Sequence, residues 1–145
     1  MKQVIFTDKA PAPIGPYTQA ILAGNTLYVS GQIPVNPATG EVVTGIEAAT
    51  EQVMENLKAI LTQAGTTFEK VVKTTIFLAD MGQFAQVNGV YARYFNEATA
   101  PAPAATVSNV YARYFDEKTA PARETVQVAK LPKGVEVEIS CIAVL

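Results

Sequence analysis

The chain has 145 residues, of which 49% are hydrophobic and 17% charged, and its formal net charge is −2. A chain of this length fits one domain with one core, so we expect residues 1–145 to form a single domain. It has no cluster of Lys and Arg and no apolar run of about 20 residues, which argues against nucleic acid and membrane partners. The N-terminus lacks the apolar region of a signal peptide, and we expect a cytoplasmic protein.

The chain contains no histidine and one cysteine. The lack of histidine excludes catalytic triads and metal sites that depend on this residue. Cys141 lies inside an apolar segment, and we interpret it as a buried strand residue rather than a nucleophile. No glycine-rich phosphate loop is present, so we expect no nucleotide cofactor. Any catalysis must then come from Arg, Glu, Asp, Lys, Tyr, backbone amides and water.

The first half of the chain predicts three strands and a helix. A short strand at residues 4–7 is followed by strands at 17–23 and 26–33, which flank the turn Gly24-Asn25. Residues 34–40 form a loop. The helical spacing of apolar residues then predicts a helix over 45–64, with a capping box of Thr44 and Glu47 before it and a terminating glycine, Gly65, after it.

The second half continues with a half-buried strand at 71–78, in which residues 72, 74, 76 and 78 share one face. A second helix is predicted over 81–95, with Asp80 as its N-cap and Gln83 at its third position. Its buried stripe comprises Phe84, Val87, Val90, Tyr91 and Tyr94. The last strands are predicted at 124–129 and 135–144.

The final strand alternates between apolar and polar residues. Val137, Ile139 and Cys141 point to one face, while Glu138 and Ser140 point to the other. We expect Thr125 and Gln127 to join Lys73, Thr75 and Phe77 on this second face, which would make it too apolar for simple exposure to water. The pattern therefore favours a homo-oligomer with its interface on the sheet face that carries no helices.

Residues 87–102, VNGVYARYFNEATAPA, recur as residues 107–122, VSNVYARYFDEKTAPA, with twelve of sixteen positions identical. Two copies are too few for a solenoid, so we interpret them as a local internal duplication of about twenty residues. Either copy could occupy the second helix. The cap at Asp80 and the apolar Phe84 favour the first copy, whereas the second copy would keep a short link to Arg123 and would replace Asn88 by Ser108.

Five short segments occur in order along nearly the whole chain: IGPY (14–17), SGQIP (30–34), VVKTT (71–75), PAR (121–123) and VEI (137–139). With these segments the chain resembles the RidA/YjgF family. The resemblance implies an α+β fold of chorismate-mutase type, with a mixed sheet and two helices packed on one face. It also implies a homotrimer with a barrel-like core and with sites in the clefts between subunits, while the duplicate segment would be an insertion.

Enzymes of this family hydrolyse 2-iminobutanoate and 2-iminopropanoate to 2-keto acids and ammonia, and the resemblance implies this deaminase activity. Arg123 matches the arginine that holds the substrate carboxylate, and Glu138 matches the glutamate that holds the attacking water. The remaining matched positions line the substrate pocket: Tyr17, Ser30, Gly31, Asn88 and Thr125, the last of which often carries cysteine in the family. No cofactor or metal is implied.

Each residue also has a structural interpretation that the sequence leaves open. Arg123 could form a surface ion pair, Glu138 could be a solvated carboxylate, and Tyr17 could pack on its hairpin. Two other functions remain possible on sequence grounds, namely a module that binds 2-keto acids without turnover, and a duplicated or engineered structural variant with impaired activity. RNA cleavage, which has been ascribed to some members of the family, fits poorly with an acidic chain.

Overall fold

The computed structural model describes residues 1–95 and 119–145. Its six strands form one sheet in the order β1-β2-β3-β6-β4-β5. The β4 and β5 strands run parallel, and every other neighbouring pair is antiparallel. The strands are β1 (Lys2–Ile5), β2 (Ala20–Ala23), β3 (Thr26–Gln32), β4 (Val71–Leu78), β5 (Ala122–Gln127) and β6 (Val137–Val144). The mixed sheet expected from the sequence is confirmed.

Among the described residues, two α-helices accompany the sheet: α1 (Ile46–Gln63) and α2 (Phe84–Phe95). Short 3-10 turns lie at Phe68–Lys70, Met81–Gln83 and Pro132–Gly134. Within the described residues, neither helix is long and apolar enough to cross a membrane.

The start of α1 corrects the predicted capping box. The N-cap is Gly45 at φ 90°, and no side chain caps the helix locally. The Gly45 N–H instead donates a hydrogen bond of 2.9 Å to Oε1 of Glu136, which lies 91 positions further along the chain. At the other end Gly65 has φ 82°, as the predicted terminating glycine requires.

The core lies between the helices and one face of the sheet. It takes the apolar stripe of α1 and alternate residues of β6, of which Val137 and Ile139 are fully buried. Cys141 is also buried there, and burial raises the pKa of its thiol to about 12. The cysteine is therefore a packing residue, as predicted, because its thiolate is not accessible at neutral pH.

The predicted faces of β4 and β5 need two corrections. A register shift between Val71 and Lys73 buries Val71 and exposes Val72, the reverse of the predicted alternation, because a bulge changes the face of the residues before it. On β5, Thr125 pairs with Ile76 and lies on the helix side of the sheet. The helix-free face instead receives Glu124, which accepts a hydrogen bond from Thr75 and forms an ion pair with Lys73.

The first repeat copy supplies α2, as the cap and Phe84 favoured. The Asp80 carboxylate accepts a hydrogen bond from Gly82 N at 2.8 Å and caps the 3-10 turn that leads into the helix. Phe84 is an exception to the predicted buried stripe, because 38% of it is exposed. Residues 96–118, which include Ser108 and most of the second copy, lie outside the described residues.

Candidate functional site

Arg123 lies on the helix side of the sheet, where it meets α2. It pairs with Thr74 across β4 and β5, and its Nη1 donates a hydrogen bond to Asn88 Oδ1 at 2.8 Å. Its Cζ lies 5.0 Å from the ring centroid of Tyr91 and 5.6 Å from that of Phe84, both within cation–π range. We call Arg123, Asn88, Tyr91 and Phe84 the Arg123 cluster.

The charge of Arg123 has no counterion in this cluster. Among residues 1–95 and 119–145, no carboxylate lies within ion-pairing distance of the guanidinium, and the ion pair found there joins Lys73 and Glu124 instead. The guanidinium has five N–H donors, and the bond to Asn88 occupies one of them. A half-buried cation with donors that no described residue occupies is suited to an anionic ligand.

Thr125 lies two residues further along β5, on the same face as Arg123. Its hydroxyl oxygen is buried and has no hydrogen-bond partner in the part of the chain that the structure describes. A buried polar group without a partner is uncommon. One face of β5 therefore carries both the cation of Arg123 and a hydroxyl, that of Thr125, without a partner among the described residues.

Glu138 lies on the opposite, helix-free face of the sheet. It pairs with Phe77 and is half-buried, and burial raises the pKa of its carboxyl above the usual value. The carboxylate closely approaches the backbone of β3, since a Cβ built on Gly31 would lie 2.5 Å from Glu138 Oε1. The register of β3 shifts between Val29 and Gln32, which places a bulge next to this contact. Gly31 and Glu138 form what we call the Glu138 cluster.

A cavity of about 220 Å³ adjoins the Glu138 cluster. Gly31 and Tyr17 both line it, together with the loop around Ile14. The Tyr17 hydroxyl accepts a hydrogen bond from Ile14 N at 3.3 Å, and Ser30 Oγ donates to Thr18 O at 2.6 Å. Ser30 thus ties β3 to the segment that carries Tyr17, while its hydroxyl already has a partner.

Gln19 organises the loop that forms one wall of this cavity. The residue is 1% exposed. Its Oε1 accepts from Thr7 N at 2.8 Å, and its Nε2 donates to Thr7 O, Ala10 O and Pro11 O at 2.9 to 3.2 Å. Because Nε2 carries two hydrogens, one N–H is shared between two of these carbonyls, and one side chain therefore bonds to four backbone groups of the loop that precedes Tyr17.

The two clusters do not meet within one subunit. Arg123 pairs with Thr74 and Glu138 pairs with Phe77, so their side chains leave opposite faces of the sheet. The residues are also two strands and three positions apart, which gives a Cα separation of roughly 14 Å from standard strand spacing and rise. A small ligand cannot touch both side chains of one chain.

Comparison with known proteins identifies the fold. A model of the family described as Endoribonuclease L-PSP matches residues 7–107 and, in an overlapping second match, residues 103–145. A RutC family protein from Pyrococcus horikoshii is 49% identical, over 99% of this chain and 98% of that protein. A 2-iminobutanoate/2-iminopropanoate deaminase from Escherichia coli is 44% identical, again over 99% and 98%.

A solved structure agrees with these matches. The crystal structure of E. coli TdcF with bound serine shares a TM-score of 0.82 and 38% identity, over 99% of this chain and 98% of that one. The chain belongs to the RidA/YjgF family. The resemblance stated from the sequence motifs, and the α+β fold that it implied, are confirmed.

Several residues that contact Arg123 or support the cavity beside Gly31 were not predicted as site residues. The apolar spacing of α2 places Tyr91 and Phe84 on its predicted core stripe, and spacing alone cannot separate packing on a core from packing on an arginine. Gln19 gave one weak signal, a polar residue directly before the apolar strand β2. The predicted roles of Arg123 and Glu138 remain predictions.

Proposed function

We propose that this protein hydrolyses reactive 2-imino acids, such as 2-iminopropanoate and 2-iminobutanoate, to 2-keto acids and ammonia. The observation that carries the proposal is Arg123, a half-buried cation that has an amide and two aromatic rings around it and no carboxylate partner among the described residues. The 44% identity to a deaminase of this activity supports the same conclusion.

Arg123 binds the substrate carboxylate. A planar guanidinium forms two parallel charge-assisted hydrogen bonds to a carboxylate, which fixes both the position and the plane of the adjacent imine carbon. Asn88 occupies Nη1 from the side of α2 and so limits the directions in which the ligand can approach. Thr125 contributes a hydroxyl close to the same carboxylate.

Glu138 positions and partly deprotonates the attacking water. Burial raises its carboxyl pKa, which makes the carboxylate a stronger base than an exposed glutamate. Water adds to the carbon of the protonated imine, the C–N bond then breaks, and the nitrogen leaves as ammonia. In balance, the iminium form of the substrate and one water give the 2-keto acid and one ammonium ion, with no metal or cofactor.

The reacting groups come from two subunits of a homotrimer. Arg123 and Glu138 leave opposite faces of one sheet, so one substrate can reach both only if a neighbouring subunit supplies one of them. The helix-free face also carries apolar side chains suited to an interface, since Val4 and Tyr28 are about half exposed on it. We therefore place the site in a cleft between subunits.

The direct test is the decay of 2-iminobutanoate generated in solution by a threonine dehydratase. We expect the protein to accelerate this decay and the Arg123→Ala variant to lose at least about 100-fold in kcat/KM, because the carboxylate contact and the orientation it provides are both lost. Thermal unfolding and oligomer size of the variant serve as controls for folding.

The alternatives give different outcomes. Binding of 2-oxobutanoate that depends on Arg123, without acceleration of imine decay, would show that the protein binds 2-keto acids and is not an imine hydrolase. A folded protein with neither binding nor acceleration would contradict both functions and favour a structural variant of the family.

A further inference from the structure

One face of α2 contacts the guanidinium of Arg123. Phe84, Asn88 and Tyr91 are spaced by four and three residues, so their side chains lie on the same side of the helix. Asn88 accepts the hydrogen bond from Nη1, while the two rings lie 5.6 and 5.0 Å from Cζ. The arginine therefore receives one hydrogen bond and two aromatic contacts from a single helix.

The two rings are held in different ways. Tyr91 is 2% exposed, its hydroxyl shares a hydrogen bond of 2.8 Å with Thr74 Oγ1, and its ring packs on Phe95 with centroids 4.6 Å apart. Phe84, in contrast, is 38% exposed at the start of the helix. Core packing explains the position of Tyr91, but it does not explain an apolar ring that remains partly exposed beside a cation.

We propose that Phe84 and Tyr91 are positioning residues that fix the plane of the Arg123 guanidinium, with Tyr91 anchored by Thr74. The proposal rests on the proposed function, since it assigns these residues to carboxylate binding through Arg123. Neither ring needs to touch the substrate. Cation–π contact restricts the guanidinium, so that the N–H donors not used by Asn88 point in one direction before the ligand arrives.

Phe84 is the residue to test first, because its exposure makes it the less damaging substitution. We expect Phe84→Ala to weaken binding of 2-oxobutanoate, measured by calorimetry, roughly threefold to tenfold, as expected for loss of one cation–π contact. Phe84→Tyr, which keeps a ring, should restore binding. Gln86→Ala, a substitution on the same helix outside the Arg123 cluster, should leave binding unchanged.

A double-mutant cycle separates positioning from a direct or structural effect. In the Arg123→Ala background, Phe84→Ala should change the residual binding or the residual imine hydrolysis by less than about 1.5-fold, since the ring acts only through the arginine. Equal effects of Phe84→Ala in the two backgrounds would overturn the proposal. So would wild-type binding by the Phe84→Ala variant.

A second readout does not need a ligand. The chain has three arginines, so its arginine Nε–H region in a ¹H–¹⁵N spectrum should be simple, and Arg123→Lys identifies the signal of Arg123. Phe84→Ala and Tyr91→Phe should each shift this signal, while the other two arginine signals should move less. An unmoved Arg123 signal contradicts the positioning role, whereas a shifted signal in a protein that binds no 2-keto acid supports positioning and contradicts the proposed function.

Discussion

The Arg123 cluster and the Glu138 cluster are built on opposite faces of the same sheet, and they hold their charged groups in opposite ways. Arg123 has an amide partner and two aromatic rings around it. Glu138 is half-buried against the Gly31 backbone, and desolvation is the cause of its raised pKa. The cation is thus restrained by contacts, while the charged form of the carboxylate is destabilised by desolvation.

This difference matches the two tasks that we assign. A group that binds a carboxylate gains from being fixed before the ligand arrives, because less orientational freedom is then lost on binding. A general base gains instead from a raised pKa and from lone pairs that are open to water. A single sheet can supply both environments since its two faces differ in their cover: helices on one face, and a partly apolar surface on the other.

The largest expected effect comes from testing whether the clusters work across subunits. Arg123→Ala and Glu138→Gln should each be inactive alone. Co-expressed in equal amounts and assembled at random, they should regain activity in about a quarter of the sites, because such sites take Arg123 from one variant and Glu138 from the other. The imine decay assay on the purified mixed oligomers measures this recovery.

A matched mixture distinguishes assembly across subunits from a site within one chain. Wild-type protein is co-expressed in equal amount with the variant that carries both Arg123→Ala and Glu138→Gln. About a quarter of all sites should be active if the clusters work across subunits, but about half if both act in one chain. The absence of recovery in the mixture of single variants, together with half activity in this control, would contradict the intersubunit site.

The next largest effect is expected at the cavity beside the Glu138 cluster, where the buried side chain of Gln19 supports the loop that precedes Tyr17. Gln19→Leu removes four hydrogen bonds to backbone groups and leaves the Thr7 N–H and three carbonyls without this partner. We expect a loss of about 3 kcal/mol in the free energy of unfolding, measured by urea denaturation, because several buried polar groups become unsatisfied. Gln52→Leu, which removes one partly buried hydrogen bond to Asn56, is the control and should cost less. Equal losses would show that the Gln19 network adds little.

The fold could be predicted from the sequence where local patterns decide it. The range of β4 was predicted correctly, although its alternation fails at Val71 and Val72, and α1 ends at Gln63, two residues before the left-handed Gly65 that was predicted to terminate it. Features set by distant residues were missed. Glu136 satisfies the N–H at the start of α1 from the other end of the chain, which no local capping pattern reveals. The face of Thr125 depends on its parallel register with β4, which the sequence of β5 alone does not determine.

The site was predicted through motifs rather than through geometry. Asn88 was predicted as a pocket residue only through the family resemblance, and its 6% exposure and its bond to Arg123 follow from the approach of α2 to β5, which occurs only in the folded chain. The aromatic rings of the Arg123 cluster could not be separated from core residues, since both uses require the same spacing along α2. The separation of Arg123 from Glu138 on two faces follows from strand order, which local patterns do not encode.

The smallest expected effect concerns stability at the Glu138 cluster. Because folding raises the carboxyl pKa, the native state binds a proton more strongly than the unfolded state between the ordinary value of 4.5 and the raised value. The stability contributed by this group is therefore full below pH 4.5 and is lost as pH rises through that window. Replacing Glu138 by the neutral Gln should raise the free energy of unfolding at pH 7 by less than about 1 kcal/mol, since the group is only half-buried, and should change little at pH 3.5.

Urea denaturation of wild-type and Glu138→Gln protein at both pH values, at equal protein concentration, measures this difference. A variant that is more stable at pH 7 yet unable to hydrolyse imines would mean that the carboxylate is kept at a cost to stability because the reaction needs it. A variant less stable at pH 7 would mean that Glu138 has a stabilising partner in the assembled protein. The two clusters would then be alike in being held by contacts, and the contrast between them would fail.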